Sequence, residues 1–81
     1  MDYMELKAAA TKGLGIGRVV HYVDYNGKHL AALVTDIDPL HEVGRVWLTI
    51  FDPKRELPHH AEIMFDPEKR AGTWHWPESV A

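Results

Sequence analysis

The sequence predicts a small all-β domain, an SH3-like barrel or a strongly bent antiparallel sheet of four to five strands, preceded by a short N-terminal helix or arm. Three observations carry this. Short apolar runs from Ile16 onward are broken by turn signals every 8–15 residues. The flanks of Asn26-Gly27 are apolar on both faces, as in a hairpin that curls onto itself. A chain of 81 residues, 46% of them apolar, has room for one core and one domain.

Residues 1–15 read as a helix or arm. Asp2, Tyr3, Met4, Glu5, Leu6, Lys7 and Ala8 to Ala10 are mostly good helix formers, and Gly13 and Gly15 end the run. Two to three turns are marginal in isolation, so this helix docks on a surface or frays. Residues 16–81 form the β-domain. Asn-Gly tolerates the positive φ of a two-residue type I′ turn, which predicts a register. Tyr25 then faces Lys28, Val23 faces Leu30, His21 faces Ala32 and Val19 faces Val34; Asp24 with His29 and Tyr22 with Ala31 share the other side. Asp38-Pro39 and Gly44 bound a loop, and Arg45 to Phe51 is the next strand, with Val46, Leu48 and Ile50 on one face. Asp52-Pro53 stops it, because proline cannot donate to a ladder. A fourth strand covers Ala61 to Phe65, a charged loop follows from Pro67 to Gly72, and Thr73 to Trp76 form a short last strand or extended tail stopped by Pro77.

Composition excludes several classes. Nine Lys+Arg against twelve Asp+Glu give a net charge of −3, which argues against binding long nucleic acid. With no cysteine, disulfide scaffolds, thiol catalysis and cysteine zinc sites drop out. No apolar run reaches membrane-span length and no signal-peptide block opens the chain, so the expected compartment is the cytoplasm. Catalysis is not expected: Ser79 is the lone serine, no nucleophile elbow exists, and Gly13, Gly15 and Gly17 lack the Lys-Ser/Thr of a phosphate loop. Asp36 and Asp38 could pair on one strand face but sit where aspartates serve turns. Among six histidines the one tight group is His59-His60 with Glu62, whose neighbours alternate across a strand; no His-x-x-x-His spacing occurs, so no metal site or cofactor is expected.

Two clusters invite a binding role. In extended backbone Trp74 and Trp76 point to one side and His75 to the other. The tryptophans either close the end of the barrel or offer stacking faces for a flat ligand. Arg18 and Tyr22 share a strand face, with His21 opposite, and a guanidinium supplies forked donors for phosphate.

Gly17-Arg18-Val19-Val20-His21-Tyr22 near the start and Gly72-Thr73-Trp74-His75-Trp76-Pro77-Glu78 near the end resemble a family of small tailed-bacteriophage and prophage proteins. Its members open on a GR(I/V)VHY motif and close on G(T/R)WHWPE. The likeness covers residues 16–78 and implies a phage setting, in the cytoplasm of the infected host or on the virion. Two roles fit a chain so small. One is an immune-evasion sponge holding a small nucleotide ligand on Arg18, His21, Tyr22, Trp74, His75 and Trp76, as a homo-oligomer. The other is a phage structural accessory or protein-interaction module.

Overall fold

The computed structural model describes residues 2–37 and 44–78. A helix, α1 (Tyr3–Thr11), precedes five strands: β1 (Val19–Val23), β2 (His29–Ile37), β3 (Val46–Phe51), β4 (His59–Phe65) and β5 (Thr73–His75). The strands close into a barrel in chain order. Every seam is antiparallel except β4 with β5, which is parallel. The expected Asp38-Pro39 turn and Ser79 lie outside the described residues.

Alternation decides the interior. Val20, Leu30, Ala32, Val34, Val46, Leu48, Ile50 and Trp74 form the core. The Val46, Leu48, Ile50 face read from the sequence is the inner one, because a period of two places every second side chain on the same side. Trp74 is 0% exposed and donates its Nε1 to the Gly44 carbonyl at 2.7 Å. It closes the barrel from within, and Phe65 packs tilted on it at 4.9 Å between ring centroids. Midway along β2 the pairing with β3 shifts between Val34 and Asp36, a bulge that bends the long strand around the core.

The hairpin register differs from the expected one by a single residue. Val23 pairs with His29, Tyr22 with Leu30, His21 with Ala31 and Val19 with Leu33. The loop is three residues long, because Asp24 acts as its first anchor. The Asp24 Oδ1 accepts from the Asn26 and Lys28 amides, the Gly27 amide donates to the Asp24 carbonyl, and Gly27 takes φ +81°. This is a type I turn followed by a left-handed residue, the usual three-residue alternative to a type I′ turn. Since the side-chain period is two, the slip moves His29 onto the face of His21 and Val23.

The helix docks. Asp2 caps it by accepting from the Glu5 amide at 2.8 Å. Ala10 is fully buried, with Gly44 and Phe65 close by. The Ala9 carbonyl, in the last turn where helical partners run out, accepts from Trp76 Nε1 at 2.8 Å.

Candidate functional site

Three histidines converge on the outer wall of the barrel. His21 of β1 and His75 of β5 are direct cross-strand partners. His29 of β2 pairs with Val23, two residues along β1 from His21, and so stands on the diagonal of the same face. The ring centroids lie 5.5 Å apart for His21 and His75, 4.8 Å for His29 and His75, and 6.4 Å for His21 and His29, all edge to face. After β5, Pro77 cannot extend the ladder, and Glu78 lies against the cluster. The Glu78 carboxylate is 3.2 Å from His21 Nδ1, 3.4 Å from His29 Nδ1 and 2.9 Å from His75 Nε2. One donor atom from each of the four residues falls within 4.8 Å of all the others.

The electrostatics favour ligand protonation states. His75 is 2% exposed, and neither ring nitrogen has a hydrogen-bond partner among the described residues; the approach to Glu78 is a close ion-pair contact without hydrogen-bond alignment. Burial pushes the His75 imidazole below its ordinary value, although Glu78 pulls the other way. The ring is therefore neutral near pH 7, with a lone pair available. Glu78 is held down to about 2, first by the hydrogen bond from Lys69, 3.0 Å away, and then by a backbone amide. It is ionised at any physiological pH.

Imidazole nitrogens with one carboxylate oxygen make a donor set for a divalent transition ion such as Zn²⁺, rather than for Mg²⁺ or Ca²⁺, which prefer oxygen. Bonds of about 2.0–2.1 Å at tetrahedral angles separate neighbouring donors by about 3.3 Å. His75 and His29 approach the same Glu78 oxygen at 2.9 and 3.4 Å, near that edge length, while His21 lies 3.2 Å from the other oxygen.

The six residues singled out from the sequence divide. His21 and His75 belong to this cluster. Trp74 is sealed in the core with its indole N–H satisfied, so the expectation that it stacks on a ligand is corrected: it has no face to offer. Tyr22, half-buried, packs against the same core, and burial raises its phenol pKa. Arg18 is exposed, with its guanidinium carbon 5.8 Å from the Trp76 ring centroid, a cation–π distance. Trp76 also meets Trp74 edge-on at 5.3 Å and caps α1. Two clefts of about 260 and 240 Å³ share Asp52 and Arg55, and none of the six residues lines either.

Sequence reasoning missed His29, Glu78 and Lys69. The misjudged hairpin register put His29 across the sheet from His21, and only the fold brings the tail to the strands. A signal existed: Asp24 followed three residues later by Gly27 favours the longer loop. The His59-His60 doublet does diverge, with His60 Nδ1 2.8 Å from the Thr49 hydroxyl and His59 bordering a cleft. Set against family models, curated proteins and solved structures, the chain matches none of them.

Proposed function

We propose that the chain is a metal-stapled binding module in which His21, His29, His75 and Glu78 hold one divalent transition ion, Zn²⁺ foremost, on the outside of the barrel. One observation carries this reading: a buried histidine with no aligned hydrogen bond, its Nε2 2.9 Å from an ionised carboxylate, stands beside two further histidines. Burying polar nitrogens without partners costs free energy, and a bound cation recovers it. Four protein donors fill a tetrahedral shell, which is the pattern of structural rather than catalytic zinc. Such an ion ties β1, β2 and β5 to the tail, and its binding energy becomes folding energy. A domain of this size buries too little surface to be stable by a wide margin and gains most from such a staple.

The test is titration of chelator-treated protein with ZnCl₂ and CoCl₂. Expected are one ion per chain, tetrahedral cobalt bands in the visible spectrum, and thermal stabilisation. Zinc held free at 100 times its dissociation constant adds about 2.7 kcal/mol, or roughly 10 °C or more in Tm for a chain this short. The Glu78→Gln and His75→Leu variants should lose the response. A flat titration of folded wild-type protein rejects the reading.

A second reading rests on the exposed Arg18 stacked near Trp76, which suits a flat, phosphate-bearing ligand. On this reading the module is a phage sponge for a nucleotide signal. Thermal shifts with a panel of cyclic oligonucleotides and mononucleotides test it; a shift lost in Arg18→Ala supports it, and a flat panel rejects it.

A further inference from the structure

We infer that Lys69 is a resident counter-cation of the histidine cluster, which an incoming metal ion must displace and which sets how tightly the site holds it. This rests on the metal reading above. The Lys69 ammonium sits 3.0 Å from Glu78 Oε1, the same oxygen that meets His75 Nε2 at 2.9 Å and His29 Nδ1 at 3.4 Å. The lysine and the metal therefore compete for one carboxylate oxygen.

The backbone delivers this lysine at a cost. Lys69 is the one non-glycine residue with positive φ, +62°, among the described residues. A left-handed conformation penalises any residue with a Cβ, and glycine would take it without strain. The loop around it is held by Asp66, whose carboxylate accepts from the Glu68 and Arg70 amides and from the Arg70 side chain, while the Lys69 amide donates to the Asp66 carbonyl. That scaffold fixes the Cα of Lys69 and leaves its side chain 41% exposed, so the ammonium can leave into water without unfolding the loop.

Charge then decides the effect. Glu78 and Lys69 cancel, so an arriving dication meets a site of no net charge in place of a site of −1. An incoming ion takes the shared oxygen only after the ammonium, 3.0 Å from it, has left. Even at the dielectric of bulk water, giving up the attraction between that charge and the carboxylate 3.0 Å away weakens metal binding by about tenfold. Lys69 thereby keeps the metal exchangeable and gives the empty site's carboxylate a cationic partner.

The experiment compares Zn²⁺ affinities of the wild type, Lys69→Met, Lys69→Gly and Lys69→Arg by competition with a chromophoric chelator at fixed pH and ionic strength. Lys69→Met and Lys69→Gly should bind about tenfold tighter, and Lys69→Arg should resemble wild type. The glycine variant relieves the backbone strain and the methionine variant keeps it, so agreement between them isolates the charge. Raising the salt concentration should narrow the gap between wild type and Lys69→Met. If wild type binds zinc and Lys69→Met binds equally or more weakly, Lys69 positions Glu78 and the counter-cation inference is overturned. If neither protein binds any ion, the metal reading itself fails.

Discussion

Replacing His75 with leucine separates a binding residue from a packing residue, because the two roles predict opposite changes in stability. In the fold, the His75 ring is 2% exposed and neither nitrogen has a hydrogen-bond partner among the described residues. Leaving buried polar atoms unsatisfied costs about 1–3 kcal/mol, while an apolar group of similar size in the same space is neutral or stabilising. The close contact with Glu78 returns part of that cost. His75→Leu is therefore expected to stabilise the metal-free protein by about 1–2 kcal/mol, which for a chain of this length raises Tm by roughly 5–15 °C. The assay is thermal unfolding followed by circular dichroism, in EDTA and again in excess zinc. In EDTA the variant should melt above wild type. In zinc the order should reverse, because wild type gains the binding energy and the variant cannot. A His75→Leu protein that melts below wild type in EDTA would refute the reasoning: the imidazole would then be a satisfied structural residue.

Gly44 and Gly27 both take positive φ, but a Cβ on Gly44 would lie 2.6 Å from Phe65 Cβ and 3.1 Å from Ala10 Cβ, whereas Gly27 has open space. Gly27→Ala should cost about 1–2 kcal/mol of conformational strain, and Gly44→Ala about 1–3 kcal/mol more from overpacking, read as the difference in urea midpoints. For Asp66, burial raises the carboxyl, but hydrogen bonds from the Arg70 side chain and from the Glu68 and Arg70 amides outweigh it and leave the group below its usual value. Its contribution is complete above about pH 4 and is lost as the pH falls through the folded value; Asp66→Asn should flatten that acid limb in a stability–pH profile. Trp76→Phe removes the donor to the Ala9 carbonyl. Faster amide exchange across α1, with barrel amides unchanged, is the expected outcome.

How much of this was legible depends on the range of the interaction concerned. The apolar period of Val46, Leu48 and Ile50, the proline stops at Pro53 and Pro77, and the opposed sides of Trp74 and His75 are local, and the sequence read them correctly. The hairpin failed by one residue because two turn types compete at Asp24-Tyr25-Asn26-Gly27, and the Asp24 side chain decides between them by holding the Asn26 and Lys28 amides. That single step carried His29 to the wrong face and concealed the cluster.

By itself, the sequence determined a small all-β domain of four to five strands behind a short N-terminal helix or arm, since periodicity and turn chemistry act within a few residues of one another; closure of five strands and the Asp2 cap come from the structure. Only the tertiary structure decided the site. Its residues come from positions 21, 29, 75 and 78, and no spacing rule links them. They meet because barrel closure sets β5 beside β1, the three-residue loop sets the register of β2, and the tail lays Glu78 over the outer face of these strands. Burial does the rest: the same His75 would be an ordinary solvated imidazole on an open strand, and becomes an unsatisfied ligand when the barrel and tail enclose it.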